Sequence, residues 1–281
     1  MTDCFTTLTV ASSQHGGMPF TALTNRRRRL LVAGVLLTAL ISSGVSSGLV
    51  TTAQASIAVP TSGVSAAAVT AAAAPTPAAT PAPTTVTIPV PVIQQLLVLD
   101  CETAALQQGL AYYGINVSQA ELFALENADT RLPVVSANHT VLQWGDPYTN
   151  FVGYVNGSDW TPTGYGVYWP VILNLAQTHG LPNAIGGEGF SPATIYAALA
   201  AGHPVQVWIE TNFVRVPVGT YTAWDGTKVR YSFAEHSVTL SGVSPTQVRV
   251  NDVLHGTQYW VNKSLFEANF ADFNNMAVIF Q

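Results

Sequence analysis

Chemistry through a thiol needs a cysteine that can ionise, a base for its proton and a group that holds the base. The sequence has two cysteines, Cys4 and Cys101. Cys101 opens a run of good helix formers, residues 101–113, that closes at Gly114. The thiol is therefore expected in a first helical turn, with Asp100 as its N-cap. Backbone N–H groups and the helix dipole favour a thiolate there, the nucleophilic form. The carboxyls of Asp100 and Glu102 pull the other way. A depressed thiol pKa thus requires a cation beside the sulfur, which an imidazolium would supply. Gln95, six residues upstream, offers a side-chain amide that could join the Cys101 N–H in binding an oxyanion.

Six histidines are candidates for the base. His15 lies far upstream, His179 ends a helical pattern, His203 and His255 sit at turns, and His139 falls in an irregular stretch. His236 alone begins a strand-like run, residues 236–241. The next such run starts at Gln247. A turn centred on Ser244 pairs position 236 with position 252, and directly opposed residues have Cβ atoms about 4.5–5.5 Å apart. Asp252 is then the group that orients His236, while Asn251 faces away. Cys101, His236 and Asp252, with Gln95 upstream, fit the logic of a nucleophile, a base and an orienting carboxylate.

The elements that must carry these groups divide the chain. Helices are expected at 101–113, 118–126 (opened by the Ser118–Glu121 capping box), 169–178 and 191–201. Strands are expected at 205–210, 213–218, 220–224, 229–233, 236–241, 247–254, 258–262 and 276–280, with a short helix at 265–270 before the last. Helices first and an antiparallel sheet afterwards indicate the α+β class. Residues 127–165 are irregular and long for a connection, which is a functional signal.

Upstream the composition changes. All six Trp and all ten Tyr lie in the later part of the chain. Residues 1–55 read as an export signal: Arg26–Arg29, an apolar stretch, then Ala53-Gln54-Ala55 as a cleavage site before Ser56. Arg27-Arg28 suits the twin-arginine route, and the rival reading is a retained membrane anchor. Residues 56–90 read as an Ala/Pro/Thr-rich linker and residues 91–281 as one domain. The whole chain carries ten basic and fifteen acidic residues. Taking away the four Arg and Asp3 of residues 1–55 leaves six and fourteen, a formal −8. That charge disfavours nucleic acid as a partner. In an oxidising compartment Cys101 would be a lone thiol, so a disulfide framework and a thiolate metal cluster are not expected. No metal-ligand spacing and no phosphate-binding loop occur, and no cofactor is expected.

Several stretches of residues 92–280 resemble the peptidase C39-like family of the papain-like superfamily. They are Cys101-Glu102-Thr103-Ala104-Ala105-Leu106-Gln107, Gly145-Asp146-Pro147-Tyr148, Phe151-Val152-Gly153, Gly164-Tyr165-Gly166-Val167-Tyr168, Gly202-His203-Pro204-Val205, His236 and Asn251-Asp252. The resemblance implies a papain-like α+β fold with Cys101 as nucleophile, His236 as base, Asp252 as orienter and Gln95 as oxyanion donor. The family's leader peptidases are fused to an exporter that this sequence does not show, so cleavage of double-glycine leaders is not carried over. The expected activity is a secreted, monomeric cysteine hydrolase acting on a peptide or cell-wall peptide through a thioester. The alternatives are an acyltransferase with the same triad, and a surface-binding module that grips ligands with Trp144, Tyr148, Trp160, Tyr165 and Trp169.

Overall fold

A computed structural model describes residues 84–281. The expected export signal and most of the expected linker lie outside them. The described chain folds as β1 (Val86–Thr87), α1 (Cys101–Tyr112), α2 (Gln119–Ala124), β2 (Val134–Val135), β3 (Val141–Trp144), α3 (Trp169–Thr178), β4 (Ile185–Gly187), α4 (Pro192–Ala200), β5 (Val205–Glu210), β6 (Gly219–Ala223), β7 (Lys228–Tyr231), β8 (Glu235–Val243), β9 (Gln247–Asp252), β10 (Thr257–Asn262), α5 (Lys263–Asp272) and β11 (Ala277–Ile279).

The main sheet runs β10-β9-β8-β5-β11-β4, with β1 added against the far end of β8. All its pairings are antiparallel. A smaller sheet runs β2-β3-β6-β7, and its β3–β6 pairing is parallel. Strands buried on both faces are apolar almost throughout, and β5 shows why. Val205, Val207 and Ile209 enter a core with Ile195 and Leu199 of α4 and Phe266 and Phe270 of α5. Trp208 points the other way, into a core with Leu106 and Leu110 of α1 and Ile172 and Leu175 of α3. The α1 side of β8 is polar but buried. Thr239 donates to the Ala105 carbonyl (2.9 Å), and Gln206 donates to the Glu102 carbonyl (3.0 Å) and to Ser237 (2.9 Å). These bonds hold the first turn of α1 against the sheet.

Several expectations change. The folded chain starts earlier than the boundary read at residue 90. Val86 and Thr87 pair with Val243 and Gly242, and Ile88 and Val90 are buried. Two residues, Val86 and Thr87, in a stretch between Pro83 and Pro89 carry too little periodicity to be read as a strand. No strand forms at 213–218: a 3-10 turn, Thr211–Phe213, takes its start, with Asn212 and Phe213 at φ of 56° and 54°. The aromatic set of the irregular segment is mostly core. Trp144 and Tyr165 are buried, and Trp160 is the member that stands out, 66% exposed and stacked on Phe233.

Candidate active site

Cys101 is the first residue of α1, six residues after Gln95 and one after the N-cap position. Asp100 occupies that position but does not cap with its side chain. It is fully buried, and burial pushes its carboxyl up to about 6. The Cys101 thiol donates to Glu102 Oε2 at 3.1 Å. Glu102 is itself fixed, because its Oε1 accepts the Val167 N–H at 2.7 Å. Gly166 makes this possible: a Cβ at that position would stand 2.1 Å from Glu102 Oε1 and 3.2 Å from Glu235 Oε2. Only a residue without a side chain lets the loop carry its N–H so close to the carboxyl.

Glu235 of β8 completes an acidic wall around the sulfur. Among the described residues its buried Oε1 has no hydrogen-bond partner. Burial, then the charge of Glu102, pushes the Glu235 carboxyl well above the usual carboxylate range. Burial raises Glu102 to about 7, although the Val167 N–H draws it down. Behind them Glu126, which accepts from Thr103 at 2.7 Å, is also pushed up by burial. The outcome for Cys101 reverses the expectation of a depressed thiol. Burial first, and then the charges of Glu102 and Glu235, push it well above its ordinary value, against a small opposing pull from the Ser237 N–H. A helix start stabilises an exposed anion by only about 0.3–1 kcal/mol. Two adjacent carboxyls in a desolvated site outweigh that. The resting group is therefore the thiol.

His236 and Asp252 meet across β8 and β9, with Nε2 to Oδ1 at 2.9 Å. Asp252 is clamped further by the Tyr259 hydroxyl (2.7 Å) and the Leu254 N–H (3.0 Å). Burial opposes ionisation, but the His236 bond and charge and these two donors hold the carboxyl at about 2. The register differs from the expected one. Thr239 faces Asn251 and Leu240 faces Val250, and the register slips between Leu240 and Gly242. Continued toward Glu235, this pairing puts position 238 opposite Asp252. His236 reaches it diagonally, a contact long side chains can make. Its other ring nitrogen, Nδ1, remains for the cavity.

One cavity of about 200 Å³ is lined by Gln95, Cys101, Trp160, Glu235 and His236 among others. Three of the four singled-out residues thus share one space, with Asp252 behind the imidazole. Gln95 is in place but turned. Its amide donates to the carbonyls of Leu97 (3.0 Å) and Val98 (2.9 Å), so both amide hydrogens are held by its own loop. Asn251 faces neither Cys101 nor His236. It accepts from Ser241 (2.7 Å) and donates to the Val90 carbonyl (3.2 Å). Glu235 and Tyr259 escaped the sequence reading. Alternation along β8 assigns Glu235 to the opposite face from His236, and Tyr259 emerges only once the β9–β10 register, Tyr259 opposite Val250, is known.

The site is thus a cysteine at a helix start, packed on an antiparallel sheet that carries a histidine and its carboxylate partner. The model of the Peptidase_C39 like family matches residues 87–278. The chain belongs to that family. A Bacillus anthracis protein of known crystal structure, assigned to the C39-like peptidases, is 27% identical and superposes with a TM-score of 0.60 over 70% of this chain and 98% of its own. The uncharacterized protein YvpB of Bacillus subtilis (strain 168) is 29% identical over 185 residues, 64% of this chain and 68% of that protein. The fold of a C39-like cysteine peptidase accounts for each described layer.

Proposed function

We propose that this protein is a cysteine hydrolase that cleaves a peptide or cell-wall peptide after export. The observation that carries the reading is the cavity shared by Cys101 and His236, with Asp252 holding His236 Nε2 at 2.9 Å. Substrate brings its carbonyl carbon to Cys101 Sγ. The thiol proton passes to His236 Nδ1, and the sulfur bonds to the carbon. The imidazolium that forms faces the ionised Asp252, which offsets its charge. The developing oxyanion takes the Cys101 N–H, and the Gln95 amide once it turns from its loop carbonyls. His236 returns its proton to the leaving amine, which leaves a thioester. Water then attacks the thioester and restores the thiol. An amine in place of water would make the same site an acyltransferase.

A second reading has one observation in its favour. A thiol pushed well above its ordinary pKa is what a binding module on this scaffold would tolerate. Incubation with a fluorogenic peptide library and titration with iodoacetamide from pH 5 to 9 separate the two. In the hydrolase, Cys101→Ala abolishes turnover and labelling at position 101, His236→Ala abolishes turnover, and Asp252→Asn lowers kcat/KM by about 10²–10⁴-fold. A wild type that turns over no peptide, and whose labelling ignores His236→Ala, would leave the binding module standing.

A further inference from the structure

The carboxyls around Cys101 outnumber what the hydrolase reading uses. Cys101, Glu102 and Glu235 each present one ligand atom, and these three atoms lie within 4.8 Å of one another, all buried. Among the described residues the ion pairs are Arg131–Asp129, Arg215–Asp272 and His236–Asp252, so no Lys or Arg neutralises the group. Glu235 is 8% exposed, borders the cavity and leaves Oε1 without a partner. A buried acceptor left unpaired costs about 1–3 kcal/mol. The donor set, one sulfur and two carboxylate oxygens from buried residues, is that of a cation site.

We propose that Cys101, Glu102 and Glu235 bind a thiophilic divalent cation, Zn²⁺ first among them, and that the bound ion silences the nucleophile. Two carboxylates alone would suit a hard ion such as Mg²⁺ or Ca²⁺, and the thiolate shifts the preference to Zn²⁺. Zn–S and Zn–O bonds of about 2.3 and 2.0–2.2 Å need donors roughly 3–4 Å apart. The Sγ–Oε2 separation of 3.1 Å already lies there, so only Glu235, within 4.8 Å of both, has distance left to close. On binding, the Sγ–H bond breaks, its proton and those held by the carboxyls leave to solvent, and the sulfur lone pair goes to the metal. No redox change is involved. Cys101 and Glu235 both line the cavity, so an ion would reach them by the path proposed for substrate. The silencing rests on Cys101 being the nucleophile; the binding does not.

The test uses the full-length protein and Zn²⁺ alone, with iodoacetamide labelling of Cys101 as readout. Free Zn²⁺ at ten times Kd should slow labelling about tenfold, as expected for one site. Co²⁺ in its place should produce a thiolate-to-cobalt charge-transfer band that is absent in Cys101→Ser. Glu235→Gln keeps the shape and removes a ligand, so protection should weaken by at least about tenfold. If that variant does not fold, Glu235→Asp replaces it and must also weaken protection. His236→Ala should keep full protection while losing turnover. Protection that survives Glu235→Gln, or labelling indifferent to Zn²⁺, overturns the site. A wild type that binds Zn²⁺ through Cys101 but cleaves no peptide counts against the hydrolase reading and leaves the metal site intact.

Discussion

A carboxylate 3.1 Å from a thiol restrains it as a nucleophile. Glu102 accepts the Cys101 proton and repels the thiolate that would remain once that proton is gone. Glu102→Gln keeps an oxygen for the Val167 N–H and removes the charge, so the thiolate becomes easier to form. Labelling of the variant by iodoacetamide at pH 7 should be faster by about 3–10-fold, corresponding to a pKa lowered by roughly 0.5–1 unit. Unchanged labelling would show that burial alone sets the thiol. The flanking acids were legible in the sequence, and so was the sign of their effect. What could not be read was its size relative to the imidazolium, because desolvation depends on burial that only the closed fold creates.

Among the elements, the helices were legible from their punctuation. The Ser118–Glu121 box and Ser191-Pro192 act within one turn, and both helices begin where those residues place them. The long strands of the main sheet were legible from β-branched runs. The short strands were not: β1, β4 and β3, which pairs in parallel with β6, are defined by partners far along the chain. The His236–Asp252 contact was legible although its register was not. A slip of two residues keeps both side chains on one face, whereas a slip of one would have separated them. β1 carries a prediction of its own. A chain starting at residue 91 loses Ile88 and Val90 from the core and leaves Asn251 without its Val90 partner. Relative to a chain starting at residue 84, urea melts should show a loss of about 2–5 kcal/mol. Asn251→Ala should cost about 1–3 kcal/mol without changing the pH profile of Cys101 labelling. Equal melts would mean that β1 adds nothing to the sheet.

For the whole molecule, the buried acids set how stability follows pH. Asp100 and Glu102 have folded pKa values of about 6 and 7, above their ordinary 3.8 and 4.5, and Glu126 and Glu235 are raised as well. A raised carboxyl binds its proton more tightly when folded. Its stabilisation is complete below the unfolded pKa and is lost as pH rises through the folded one. For Glu102 that loss is on the order of 3 kcal/mol between pH 4.5 and 8. Asp252 acts in the opposite sense: its contribution is present above pH 3.8 and lost as pH falls toward 2. Melting temperature should therefore peak near pH 4–5 and decline by several degrees toward pH 8, and Glu102→Gln should flatten the alkaline limb. A curve that rises from pH 5 to 8 would contradict this assignment. The seam between β1 and β8 also gives the domain a mechanical polarity. Whatever pulls on the chain upstream of Val86 loads a two-residue strand first, and through the Val90 carbonyl it loads Asn251. The next residue along that backbone is Asp252, the clamp on His236. Tension applied upstream of Val86 would thus slacken the Asp252 hold on His236 before it opened the core, so that traction on β1 is felt at the cavity.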